Sequence, residues 1–141
     1  MNTYMEKIEK LALAFGIREV YVFGSRSKEI YSAVRGSSEI DRAAASDIDI
    51  GVTIPYDLIL SIDQKVSITS GFEEIFNGST VDLTVINEAP VFLALDIIKG
   101  ELLYCIDAIE QARNEMCILR QAGDLEYFER ERRNAILYGD I

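Results

Sequence analysis

The stretch Ser46-Asp47-Ile48-Asp49-Ile50 decides the fold. Its strand-forming residues continue to Ile54, where Pro55 ends the run, so a strand is predicted from 48 to 54. Side chains at i and i+2 of a strand share a face, so Asp47 and Asp49 are expected side by side. Their repulsion is costly without a cation between them, and Mg²⁺ prefers a few carboxylates with phosphate oxygens and water. A lone Asp-x-Asp pair more often simply begins a strand at the solvent edge.

A third carboxylate, Asp82, lies in the apolar run from Thr80 to Ile86, which predicts another strand. An unpaired charge is unfavourable there, so Asp82 is expected to have a partner. If this strand lies beside Asp47 and Asp49, the three carboxylates converge and can hold two metal ions. One ion would activate an attacking hydroxyl, whose proton Asp82 takes, and the other would steady a triphosphate. The alternative places Asp82 on the exposed face of an edge strand.

A candidate phosphate site follows the predicted strand Glu19 to Phe23, which ends abruptly at Gly24-Ser25. Glycine allows a close backbone approach, and free N–H groups together with the Ser25 hydroxyl can cradle phosphate. Taken alone, a Gly-Ser pair is more often an ordinary turn. Arg26 is expected to support the site with its positive charge, so Gly24, Ser25 and Arg26 are the candidate nucleotide-binding residues.

Helices and strands alternate along the chain, which predicts one α/β (α+β) domain over residues 1–141. Residues 3–15 predict an amphipathic helix, and residues 27–45 predict a long loop with at most one short helix. A helix after Pro55 is expected to use one face for its apolar residues. Another helix and a fourth strand precede a helical tail from about residue 107, with a break expected at Gly123. The apolar face of the helix after Pro55 is predicted from Ile59, Ile62, Val66, Thr69 and Phe76. The next helix is predicted from Phe92, Leu95 and Ile98, and the fourth strand is predicted over 102–104.

Composition narrows the possible functions. Twenty-four acidic against 14 basic residues give a net charge of −10, which argues against broad nucleic-acid binding. Histidine is absent, so any catalysis must use carboxylates, metal or both. Two cysteines without metal-ligand spacing, no apolar leader and no membrane-spanning stretch predict a soluble, cytoplasmic protein.

Three motifs in order resemble the polymerase-β-like nucleotidyltransferases, specifically the minimal nucleotidyltransferase (MNT) group. They are Phe-Gly-Ser-Arg at 23–26, Ser-Asp-Ile-Asp-Ile at 46–50 and Val-Asp-Leu at 81–83, and the similarity continues through 87–90 and 100–104. The resemblance implies a small mixed sheet of about four strands, a Gly-Ser phosphate loop and metal ligation by Asp47, Asp49 and Asp82. It also implies that the chain is an antitoxin. Many such proteins silence a HEPN ribonuclease toxin by transferring AMP from ATP to a toxin tyrosine.

The chain departs from the group between Ser25 and Asp47, where it has 21 residues. The group usually has about half as many, which is compatible with a surface insertion beside the site. Two alternatives to protein AMPylation stay open. The acceptor is a small molecule, although such enzymes usually carry an additional domain, or the chain neutralises its toxin by contact alone.

Overall fold

The structure is a computed structural model that describes residues 3–36, 38–41 and 44–138. Its helices and strands alternate as predicted, and they confirm the α/β class with four strands. No helix in these ranges is both long enough and apolar enough to cross a bilayer. In chain order the elements are α1 (Thr3–Phe15), β1 (Glu19–Phe23), α2 (Ser27–Val34), β2 (Ile48–Thr53), α3 (Ile62–Ile75), β3 (Val81–Val85), a 3-10 turn (Ile86–Glu88), α4 (Val91–Ile98), β4 (Glu101–Cys105) and α5 (Ala108–Tyr138).

The four strands form one mixed sheet in the order β3-β2-β1-β4. β1 is antiparallel to both β2 and β4, whereas β2 and β3 are parallel. This pairing brings the end of β1 and the beginnings of β2 and β3 to the same edge of the sheet. The chain segments that carry the predicted site residues therefore meet there.

Helices cover both faces of the sheet. On one face, alternate residues of the central strands, such as Val22, Ile50 and Val52, are fully buried beneath α1, α2 and α3. On the other face, Tyr21 packs with Ile97 and its neighbours beneath α4 and α5. Asp49 has the same strand parity as Gly51, whose Cα faces the Ile97 side chain, so its carboxylate lies on the α4 face.

The stretch over 27–45 contains the one short helix that the sequence allowed. Residues 27–34 form α2, and Ile30, Ala33 and Val34 on its inner face are buried in the main core. Eight residues make only about two turns, which is too short a window for the 3.6-residue period to stand out among polar neighbours. Residues 27–34 are therefore part of the folded core rather than of a surface loop.

The apolar face predicted for the third helix is wrong except at Phe76, which is fully buried in the core. α3 begins at Ile62, after a capping box in which the Ser61 hydroxyl accepts from the N–H of Gln64 and the Gln64 side chain accepts from the N–H of Ser61. Its buried residues are Ile68, Phe72 and Ile75, while Ile62 is 80% exposed. β-Branched side chains at the start of the helix suggested a face that packing does not use.

α5 is one continuous helix of 31 residues, so the break expected at Gly123 is absent. Its first half is fixed to the sheet by polar contacts. The Tyr21 hydroxyl donates to Glu115 at 2.8 Å, and the Asn114 amide donates to both oxygens of the buried Glu19 carboxylate. Gly123 has no atom near the position of a Cβ, and one exposed glycine costs a helix only about 1 kcal/mol.

Candidate active site

Two of the predicted carboxylates lie on adjacent strands in register. β2 and β3 run parallel with Asp49 opposite Asp82, and residues paired in this way point to the same face of the sheet. β3 is also an edge strand, and Asp82 is exposed. Asp82 is therefore exposed on an edge strand, as one alternative expected, and it lies on the face that carries Asp49.

Asp47 completes the group immediately before β2 and is itself exposed. Partial burial, followed by the negative charges of Asp82 and then Asp47, raises the pKa of the Asp49 carboxyl above its ordinary value. The three carboxylates are thus close enough for Asp49 to feel the charge of both neighbours. A site of this kind favours a cation or a proton.

Gly24 leaves the space that the Asp49 carboxylate occupies. It follows β1 with a φ of +78°, a conformation that residues with a side chain rarely adopt, and a Cβ at this position would overlap Asp49 Oδ2. Gly24 and Ser25 are exposed and directly precede the N-terminus of α2, where free N–H groups and the helix dipole favour an anion. The predicted phosphate turn and the carboxylates therefore adjoin.

The donor set is that of a hard divalent cation, since carboxylate oxygens are the ligands Mg²⁺ takes most readily. The fit is supported by Asp49, whose charge is disfavoured by its neighbours and whose carboxylate lies in the space left by Gly24. Within ranges 3–36, 38–41 and 44–138, however, no three acidic or cysteine side chains are drawn together into a metal-ligand geometry.

Arg26 has a different environment from the one expected. Its side chain is buried, and the guanidinium makes a bidentate ion pair with Glu29 while donating to the backbone carbonyls of Asp41 and Ser46. These donors point into the protein, so the geometry favours a positioning role over the predicted contact with phosphate. Sequence reasoning missed Glu29, although an Arg–Glu spacing of three residues is a signal for a pair on one helical turn.

A cavity of about 790 Å³ lies away from the carboxylates. Its lining includes Arg18, which precedes β1, Thr53 at the end of β2, and Asn87, which follows β3. These positions are at the opposite ends of the same strands from Gly24, Asp49 and Asp82. The cavity therefore does not extend the carboxylate site.

The topology, with acidic residues grouped beside a glycine turn, defines the class of nucleotidyltransferases. The chain belongs to the polymerase beta nucleotidyltransferase family, because residues 6–109 match the family model described as Polymerase beta, Nucleotidyltransferase. The sequence resemblance is thereby confirmed, and the chain is a nucleotidyltransferase by family. No curated protein matches it significantly in sequence.

Solved structures of MNT antitoxins have the same fold. A toxin–antitoxin complex with AMP-PNP is 18% identical with a TM-score of 0.67, and the match covers 94% of this chain and 98% of that one. A mutant of the MntA–HpeT toxin–antitoxin pair matches at 17% identity, the same TM-score and the same coverage. A tri-AMPylated HEPN toxin of Shewanella oneidensis in complex with its MNT antitoxin matches at 19% identity and a TM-score of 0.59 over 100% of both chains. At these identities the similarity establishes the fold.

Proposed function

We propose that this chain transfers AMP from ATP to a tyrosine hydroxyl of a HEPN ribonuclease toxin and acts in the cytoplasm as its antitoxin. The register of Asp49 and Asp82 on adjacent parallel strands, with Asp47 alongside, carries the proposal. The AMP-PNP and AMPylated complexes formed by proteins of the same fold support the choice of nucleotide and partner.

The carboxylates and the glycine turn have different parts in the proposed reaction. Asp47, Asp49 and Asp82 would hold Mg²⁺, and the proposal assigns two ions to the three carboxylates. When bound, Mg²⁺ neutralises the triphosphate and makes the attacking hydroxyl easier to deprotonate. The exposed backbone of Gly24 and the hydroxyl of Ser25 would bind the phosphates at the N-terminus of α2.

The chemistry itself is an in-line displacement at the α-phosphorus. The tyrosine oxygen forms a bond to phosphorus as the bond to the bridging oxygen of the β-phosphate breaks, and pyrophosphate leaves. Asp82 is the proposed acceptor of the hydroxyl proton. It is exposed at the edge of the sheet, where an acceptor side chain can approach without entering the core.

The test is a label-transfer experiment with the purified chain, ATP labelled on the α-phosphate, Mg²⁺ and the cognate HEPN protein. Label is expected on the HEPN protein with the wild type and not with Asp47→Asn/Asp49→Asn. Asp57→Asn, which changes an exposed aspartate beyond the far end of β2, is the matched control. Absence of label despite a stable complex would contradict the proposed transfer.

Neutralisation by contact alone is the second candidate, and α5 favours it. From Gly123 to Ile136 the side chains that the structure describes are exposed, apart from Ala135. Leu125, Tyr127 and Ile136 are apolar members of this segment, 39%, 57% and 71% exposed respectively. An exposed helix of this kind offers a surface that could bind the toxin without any AMP transfer. This candidate is supported if Asp47→Asn/Asp49→Asn still neutralises the toxin.

A small-molecule acceptor is the remaining alternative. The part of the chain outside the family match consists mainly of α5, which leaves no further globular unit within the described residues to hold such an acceptor. Adding aminoglycoside in place of the HEPN protein in the same assay distinguishes this reaction. Label on the aminoglycoside alone would replace the toxin as the substrate.

A further inference from the structure

The ion pair between Arg26 and Glu29 holds the backbone at two points between α2 and β2, at Asp41 and at Ser46. Arg26 Nε donates to Glu29 Oε1 at 3.0 Å, and Nη2 donates to Oε2 at 2.7 Å. The same guanidinium donates from Nη2 to the carbonyl of Asp41 at 2.8 Å and from Nη1 to that of Ser46 at 3.1 Å. Glu29 Oε2 in turn accepts from the N–H of Asp41 at 2.8 Å. Both backbone polar groups of Asp41 are therefore held by the pair.

The contact with Ser46 fixes one side of Asp47. On the other side, the N–H of Ile48 donates to the carbonyl of Thr80 at 2.8 Å, where β2 meets the chain entering β3. Asp47 is thus a single residue between two anchored peptide groups. In the described part of the chain its exposed carboxylate accepts no hydrogen bond, so its position depends on the backbone that carries it.

The environment of the pair favours a permanent ionic contact. Arg26 is only 4% exposed, and Glu29 is half-buried. The hydrogen bond from Arg26 is the main cause that lowers the pKa of Glu29, and the bond to Glu29 raises the pKa of the guanidinium. An arginine with these partners inside the protein supplies geometry rather than a free charge for phosphate.

We propose that Arg26 and Glu29 are positioning residues that hold Asp47 at the correct place to bind the divalent cation. The inference rests on the proposed function of the carboxylates. It goes further, because it gives a role to the Arg26–Glu29 pair, which we call the clamp. The clamp contacts the backbone of Asp41 and Ser46, between the Gly24-Ser25 turn and β2. Groups that orient a metal ligand typically contribute about 10–100-fold to metal affinity.

Glu29→Gln is the informative variant. The amide is nearly isosteric, but it replaces an oxygen that accepts from Arg26 or from Asp41 with an NH₂ that cannot accept. Glu110→Gln is the matched control, because Arg18 and Glu110 form another bidentate pair, with both contacts at 2.8 Å, outside the site. Arg26→Lys provides a second variant, since an ammonium group cannot reproduce the planar fork.

The measurement is ATP binding by calorimetry over a range of Mg²⁺ concentrations, at a temperature where circular dichroism shows each variant folded. Glu29→Gln and Arg26→Lys are expected to raise the Mg²⁺ concentration for half-maximal ATP binding at least about tenfold. Saturating Mg²⁺ should restore the wild-type affinity for ATP, which it would not do for a folding defect. Glu110→Gln should match the wild type throughout.

Two results would overturn the inference. One is a Mg²⁺ titration of Glu29→Gln that coincides with that of Glu110→Gln. The other is a Glu29→Gln variant whose ATP binding at saturating Mg²⁺ is weaker but whose Mg²⁺ midpoint is unchanged. If the wild type itself binds no ATP with Mg²⁺, the proposed function fails instead. Amide hydrogen exchange around Asp47 then decides the clamp alone: faster exchange in Glu29→Gln than in Glu110→Gln supports it, and equal exchange refutes it.

Discussion

Asp49→Asn should make the protein more stable while it abolishes cation-dependent nucleotide binding. Asp49 lies opposite Asp82, near Asp47 and partly buried, and each of these features disfavours its negative charge. The neutral amide keeps the shape of the side chain but removes the repulsion. Screened pairs at a partly exposed site contribute about 0.2–1 kcal/mol each, so a gain of about 1 kcal/mol in the free energy of unfolding is expected.

The pH dependence has a definite sign. Because the pKa of Asp49 is raised in the folded state, the folded protein binds its proton more readily than the unfolded chain does. Stability of the wild type relative to Asp49→Asn therefore falls as pH rises from the ordinary value of 3.8 through the raised pKa. The advantage of the variant should be absent below this window and complete above it.

Thermal unfolding with and without Mg²⁺ and ATP measures both effects. In metal-free buffer at pH 7.5, Asp49→Asn should melt about 2–6 °C above the wild type. With Mg²⁺-ATP at tenfold its Kd, the wild type should gain about 1.4 kcal/mol and the variant almost nothing, so the order of the Tm values reverses. A variant that melts below the wild type in metal-free buffer would refute the repulsion argument. Asp57→Asn should shift neither Tm.

Three further predictions follow from the described contacts. Gly24→Ala and Gly78→Ala both place alanine at positive φ, so each should lower the free energy of unfolding in urea by about 1–2 kcal/mol. Only Gly24→Ala displaces Asp49, so only this variant should lose ATP binding. Equal ATP binding by both variants would contradict the contact between Gly24 and Asp49. Burial is the main cause that raises the pKa of Glu19, so Glu19→Gln should raise the Tm at pH 7.5. A series of thermal melts should show this advantage disappear as the pH falls through the folded pKa toward 4.5. A lower Tm at pH 7.5 would show that the hydrogen bonds from Asn114 outweigh the cost of burial. Gly123→Ala should increase helicity by circular dichroism and stabilise the protein by about 1 kcal/mol, whereas a loss of helicity would mean that α5 bends at this residue.

The strands were predictable because their signals are local. Runs of alternating or β-branched residues, ended by Gly24 and Pro55, located β1 and β2 to within one residue at each end. The apolar run from Thr80 to Ile86 located β3 equally well. The position of Asp82 opposite Asp49 was not predictable from periodicity, because it depends on the pairing of strands about 30 residues apart. The resemblance to a known family anticipated the mixed sheet that this pairing produces.

The missed features depend on tertiary contacts that leave little pattern in the sequence. Ile62 begins a helix yet faces solvent, because α3 packs through Ile68 and Phe72 instead. Arg26 looks like a free cation beside a phosphate turn. Its partners include two backbone carbonyls, and the chain path that brings carbonyls to a side chain is not encoded in residue type.

The internal contacts of Arg26 change how the proposed site would recognise a triphosphate. A protein of net charge −10 with three carboxylates at one strand edge repels ATP. The guanidinium of Arg26, the residue that follows the Gly24-Ser25 turn, is already paired with Glu29, so it does not offset that repulsion. In the proposed function, neutralisation would then fall to the divalent cation, to the N-terminus of α2 and to the exposed Lys28 in its first turn. On this argument the proposed site would rely on the cation in place of a direct arginine contact, and the Arg26–Glu29 pair would set the cation concentration at which ATP binds.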